Sequence, residues 1–333
     1  MKITIKEIAL LANVSTATVS KVVNHKDDNI SEATRQRVLD IIDEYNYVPN
    51  RIASSMITKK TNTIGLIIPD ITNPFFPEVA RGVEDFANKA GYQVVLCNSD
   101  NEPRKEVAYI AMLQEQMVDG IIFTSSSLRK KVSKEFIRMQ IPVITVDREI
   151  DGLQTRGKIT VDNITGAYKG VSYMIERGYK KILHLSGPLT SKPSMDRLEG
   201  YKKALAEHDF TFEPALFYEG NYTSEWGYLG VKSAINDHID FDGIFCGNDM
   251  IAIGAIKGLK ECGLRVPEDV GILGFDNIYI ASVVTPNLTT VSQPNYQMGY
   301  KAAEMLIHMI KYPMTPVSGV ELKTELIIRE STK

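Results

Sequence analysis

The sequence predicts an α/β protein made of a small all-α head followed by two doubly wound α/β lobes. Three observations predict it. Apolar residues between positions 3 and 47 recur at helical spacing. From Ile64 onward, short apolar runs alternate with longer helix-period segments, the order of parallel sheets covered by helices on both faces. That order restarts near Lys181, after the helical segment from Thr165 to Gly178, with too many strands for one comfortable sheet. At 333 residues and 44% hydrophobic content, the chain has length for two or three cores.

The head reads as three short helices. Their inward positions are Ile5, Ile8, Ala9 and Ala12, then Val19, Val22 and Val23, then Val38, Ile41 and Ile42. The first two meet at Ala12-Asn13-Val14, where Asn13 can adopt a left-handed turn backbone and Val14 plugs the joint. Ser15 caps the second helix and Ser31 the third. The outer face of the second helix carries Thr16, Ala17, Ser20 and Lys21. A small, hydroxyl-rich, basic face of this kind can enter a DNA major groove and touch base edges.

Past Pro49, a short helical stretch from Asn50 to Met56 gives way to a polar run, Thr58 to Thr63, that reads as a linker. Strands are then predicted to start at Ile64, Val94, Gly120, Val143, Ile182, Gly243 and Val270. Leu322 to Ile328 reads as a terminal strand returning to the first lobe. The division expected is a head over 1–47, a short helix and linker over 48–61, a first lobe over 62–161 with 293–328, and a second lobe over 162–292.

The formal net charge of −3 gives no global sign of a nucleic-acid binder. The first sixty residues nevertheless hold nine Lys or Arg against seven Asp or Glu, a net +2, leaving −5 for the rest. Three scattered cysteines form no C-x-x-C pair, and the five histidines show no metal spacing, so neither a disulfide framework nor a metal site is expected. No G-x-G pair occurs, which removes the dinucleotide fingerprint, and no nucleophile elbow is found. Gly152 to Lys158 mimics a phosphate loop, but Ile159 replaces the required Ser or Thr. No catalytic residue and no cofactor is expected, so the chain reads as a non-enzyme. Lacking an apolar leader and any run of about 18 apolar residues, it is expected to be cytoplasmic.

The stretch from Thr4 to Asn24, continued by Tyr47 to Arg51, closely resembles the DNA-binding head of the LacI/GalR family of bacterial transcription regulators. By that resemblance Thr16, Ala17 and Lys21 read bases, while Thr4, Ser15, Thr18, Ser20, Asn24 and Arg51 face phosphates or cap helices. Lys21 stands where the family commonly has Arg, replacing a bidentate fork with a point charge. Asn50, Arg51 and Ala53 fall in the segment resembling the family's hinge helix. Met56 takes the place of its usual Leu wedge in the minor groove.

Recognition of a sugar needs flat apolar faces for its C–H groups and fixed polar groups for its hydroxyls. Such groups stand at the ends of the predicted strands: Asn73, Phe75 and Phe76; Asp147 and Arg148; Arg197; Tyr222; Asn248; Asp276; Gln293. The set is similar to that of ribose-type periplasmic binding proteins and of sugar-sensing family members, a resemblance that implies the type I periplasmic-binding-protein-like fold. It also implies that Phe76 and Tyr222 sandwich a sugar ring. Two arginines leave a phosphorylated or acidic sugar open. Trp226 is expected to pack with Tyr228 or at the cleft edge.

The resulting expectation is a repressor of carbohydrate-metabolism genes that binds a palindromic operator as a homodimer and responds to a sugar-type effector. Glu78 to Lys89 and Pro103 to Gln116 are the expected interface helices. A protein coregulator such as a phosphocarrier remains an alternative partner. The body alone would equally suit a sugar-binding transport protein, which the attached head argues against.

Overall fold

The computed structural model describes residues 3–24, 26–47, 60–125, 141–148 and 157–333. The chain forms two compact units, Met1–Thr61 and Asn62–Lys333.

In the first unit, helices α1 (Ile5–Leu11), α2 (Thr16–Val23) and α3 (Glu32–Glu44) enclose a core of Ile8, Ala9, Ala12, Val19, Val22 and Val38. Local chemistry sets each helix start. Thr4 and Glu7 form a capping box on α1, Ser15 accepts from the Thr18 N–H, and Ser31 accepts from the Thr34 N–H. Asn13 sits at φ +51°, the left-handed turn that a short amide side chain tolerates, and Val14 packs against the core.

The second unit contains two six-stranded sheets. Its elements in chain order are β1 (Thr63–Ile68), α4 (Phe75–Lys89), β2 (Gln93–Asn98), α5 (Pro103–Glu115), β3 (Gly120–Phe123), β4 (Val143–Val146), β5 (Gly157–Val161) and α6 (Asn163–Glu176). There follow β6 (Ile182–Ser186), α7 (Lys192–Glu207), β7 (Phe217–Glu219), α8 (Ser224–Asn236), β8 (Gly243–Cys246) and α9 (Asp249–Glu261). The last are β9 (Gly271–Asp276), β10 (Thr289–Ser292), α10 (Asn295–Lys311), β11 (Val320–Leu322) and β12 (Glu325–Ile327).

The first sheet has the order β11-β5-β4-β3-β1-β2 and the second β12-β10-β9-β8-β6-β7. Among the described residues every pairing is parallel except β10 with β12. Strands β3, β4 and β8 are buried along their whole length, as expected where helices cover both faces. Helix α10 returns to the first sheet and crosses α4 so closely that a Cβ at Gly82 or Gly299 would strike the other helix's backbone.

One expectation is corrected. The single terminal strand expected over 322–328 is two strands separated by Lys323 and Thr324: β11 joins the first sheet and β12 joins the second. Glu325 to Ile328 therefore lies outside the first lobe to which it was assigned. The tail beyond it stays with the second sheet, where the Ser331 hydroxyl donates to the Ile272 carbonyl at 2.7 Å and the Thr289 N–H donates to Ser331 Oγ at 2.8 Å.

Among the described residues no helix is long and apolar enough to cross a membrane, and no cluster of His, Cys, Asp or Glu suits a metal ion.

Candidate ligand cleft and nucleic-acid face

Asn73, Phe75, Phe76, Asp147, Arg148, Arg197, Tyr222, Asn248, Asp276 and Gln293, together with Pro193, line one cleft. Strand topology explains the convergence. The loops after β1, β4, β8 and β9 leave the carboxyl ends of parallel strands, where ligands bind in open α/β sheets.

Each group is held in place locally. The Asn73 carboxamide accepts from the Phe75 N–H at 3.1 Å as α4 begins, fixing the two rings, which meet edge to face with centroids 4.9 Å apart. Pro74 occupies the capping position of the helix. Asn248 caps α9 by accepting from the Ile251 N–H at 2.9 Å. The Tyr222 hydroxyl lies 2.6 Å from Ser194 Oγ. Asp147 and Asp276 occupy left-handed backbone at φ +63° and +112°, strained positions for side-chain-bearing residues.

Both arginines are anchored. Arg148 donates to the Ser125 carbonyl at 3.2 Å and pairs with Asp147 at 3.3 Å. Its guanidinium lies 5.9 Å and 5.6 Å from the ring centroids of Phe76 and Tyr222, within cation–π range of both. Arg197 donates to Asn163 Oδ1 at 2.9 Å and to the Gly247 carbonyl, approaches Asp276 at 3.6 Å, and stacks 3.8 Å from the Phe275 centroid. Burial raises the Asp147 carboxyl against the opposing pull of Arg148 and Arg197. It pushes Asp276 up to about 7, with Arg197 and the 2.6 Å donation from Gln293 Nε2 opposing.

Among the described residues, four buried polar atoms of the lining, Asp147 Oδ1, Arg148 Nε, Asn248 Nδ2 and Gln293 Oε1, have no hydrogen-bond partner. Leaving such atoms unpaired costs about 1–3 kcal/mol each, and these are grouped in one cleft with aromatic walls.

Pro193 was not among the residues expected from sequence. It lies in the first turn of α7, a position that proline favours for its preset φ, and that preference was the available signal. Trp226 is half-buried against the hydrophobic core. Its indole N–H donates to the Ser186 carbonyl at 3.0 Å and its ring lies against Gly220, while Tyr228 turns to Glu261 at 2.7 Å.

In the first unit, Thr16, Ala17 and Lys21 are exposed on α2, and Thr18 and Ser20 are half-buried. Thr4 and Ser15 spend their side chains on helix starts, and Asn24 Nδ2 donates back to the Ser20 carbonyl at 2.7 Å. Asn50, Arg51, Ala53 and Met56 lie outside the described residues.

The comparisons bear on both units. Residues 4–50 match the family model for bacterial regulatory proteins of the lacI family, and residues 171–332 match the periplasmic binding protein-like domain. Over 337 aligned residues the chain is 40% identical to the HTH-type transcriptional regulator RegA of Clostridium saccharobutylicum, covering all of both chains. It belongs to the LacI family of bacterial regulatory proteins.

Two solved structures extend the comparison for this LacI-family chain. The lac repressor dimer bound to operator and the anti-inducer ONPF matches with a TM-score of 0.86 and 26% identity, covering 100% of this chain and 99% of that one. A LacI family regulator from Enterococcus faecium with bound ribose matches at 0.73 and 28% identity, covering 81% and 98%. The chain is thus a DNA-binding transcriptional regulator with a helix-turn-helix head and a periplasmic-binding-protein-like body, and its relatives are regulators, not enzymes.

Proposed function

We propose that this regulator represses carbohydrate-metabolism genes by binding a palindromic operator as a homodimer, and that a neutral sugar of one ring, seated in the cleft, controls its DNA affinity. Thr16, Ala17 and Lys21 face base edges in this reading. The charge arrangement of the cleft supports a neutral ligand over a phosphorylated or acidic one: Arg148 is matched by Asp147 and Arg197 by Asp276. A ligand phosphate would have to lie against those carboxylates, whereas hydroxyl groups satisfy both signs.

The observation that carries the reading is the grouping of unpaired polar atoms from Asp147, Asn248 and Gln293 beside the rings of Phe76 and Tyr222. The E. faecium structure with ribose makes D-ribose the first probe. A thermal-shift comparison of D-ribose with ribose 5-phosphate tests it, since a ligand that binds only the folded state raises the melting temperature. The reading predicts a rise with ribose or another neutral monosaccharide and none with the phosphate. A rise confined to phosphorylated or acidic sugars contradicts it.

A further inference from the structure

Asp249 is fully buried and borders the cleft without lining it. One carboxylate oxygen accepts from Thr290 Oγ1 at 2.6 Å, and the other accepts from the Ile278 N–H at 2.9 Å. Asp249 directly follows Asn248, Ile278 lies two residues after Asp276, and Thr290 lies three residues before Gln293. A single side chain therefore ties together the three chain segments that deliver Asn248, Asp276 and Gln293. Gly274 makes room for it, because a Cβ there would strike Asp249 Oδ1.

The segment it grips is one that would not hold its shape alone. Asp276 and the adjacent Asn277 both have left-handed backbone, at φ +112° and +57°. Such conformations persist only where the surroundings over-determine them. From the other side Arg329 donates to Asn277 Oδ1 and to the Leu288 carbonyl, each at 2.7 Å. We propose that Asp249 is a positioning residue for the ligand cleft: it sets the mutual placement of Asn248, Asp276 and Gln293 without touching the ligand.

The proposal rests on the cleft being the sugar site, and its test separates the two ideas. D-ribose affinity by calorimetry and hydrogen–deuterium exchange over 274–280 are measured on the full chain for wild type, Asp249→Asn, Asp249→Ala and Thr290→Val. Asparagine keeps the shape, one acceptor for Ile278 and one polar contact for Thr290. It is expected to hold ribose affinity within about threefold, with wild-type exchange. Alanine is expected to weaken ribose by roughly tenfold or more and to speed exchange in the sugar-free protein. Thr290→Val, which removes only the β10 arm, moves both readouts in the same direction and carries the test if the alanine variant does not fold.

A merely structural role predicts that the alanine variant melts earlier yet binds ribose as wild type does once folded, and that result overturns the proposal. So does an asparagine variant as weak as alanine, or wild-type values throughout for Thr290→Val. Should wild type fail to bind ribose while exchange at 274–280 still follows the Asp249 series, the tether stands and the ligand assignment falls.

Discussion

The Arg197 guanidinium lies 3.6 Å from the Asp276 carboxylate and 3.8 Å from the centroid of the Phe275 ring. Two side chains separated by almost eighty residues are thereby fixed, flat face and charged edge together, before any ligand enters. Preorganisation of this kind lowers the ordering cost of binding.

Removal of either partner should be costly for that reason. Arg197→Met is expected to weaken sugar binding by about 1.5–3 kcal/mol, roughly 10- to 150-fold in Kd, the range for hydrogen bonds to charged groups. It also leaves Asp276 without its buried counter-charge and lowers the melting temperature. Calorimetry with the purified variant reads both effects; an unchanged Kd removes Arg197 from the site.

Asp276 also makes binding pH-dependent. Its folded value, up to about 7, lies above the ordinary carboxylate value near 4. The folded, ligand-free protein therefore binds more protons than the unfolded chain between about 4 and 7, and this group's contribution to stability falls as pH rises through that window. A sugar hydroxyl donating to the carboxylate favours the ionised form, so binding expels a proton. Sugar affinity should therefore rise from pH 6 to pH 8 in wild type and lose that dependence in Asp276→Asn.

His184 acts in the opposite sense. Fully buried in β6, it stacks on Phe245 with ring centroids 4.6 Å apart, and its Nδ1 lies 2.9 Å from the Phe245 carbonyl. Burial lowers its pKa to about 4. The unfolded chain takes up the proton first, so its stabilising contribution, present above about 6.5, is lost as pH falls from there toward 4. Urea titrations at pH 5 and pH 7.5 should show a smaller stability loss on acidification for His184→Phe than for wild type; equal losses would place the acid sensitivity elsewhere.

In the head, Ser15→Ala removes the acceptor for the Thr18 N–H and should cost about 1 kcal/mol of head stability. Lys21→Ala leaves the head core of Val19 and Val22 intact and should weaken operator binding with no change in melting temperature. Circular dichroism and fluorescence anisotropy on an operator fragment distinguish these effects, and operator binding unchanged by Lys21→Ala would take that side chain off the DNA face.

Much of the fold was legible because hydrophobic period and cap chemistry agree: Ser15, Ser31 and Asn248 start helices where their hydroxyl or carboxamide chemistry says they should. The cleft residues were legible because they stand at the ends of parallel strands. Asp249 was not, since an acid in the first turn of a helix reads as a partner for the helix dipole. Only the packed fold shows it reaching Thr290, 41 residues away. The split between β11 and β12 was hidden because only Lys323 and Thr324 separate the two strands and nothing local says that they join different sheets. Pairing partners, which decide between them, are tertiary information.

Occupancy of the cleft and attachment to operator are, on the proposed function, energetically coupled. Operator affinity of the intact protein, measured by anisotropy on an inverted-repeat duplex selected with it, should shift by about 5- to 150-fold when the cleft is saturated with its sugar. Sugar affinity should shift by the same factor when operator is bound. Equal operator affinity with the cleft empty and saturated would contradict the account.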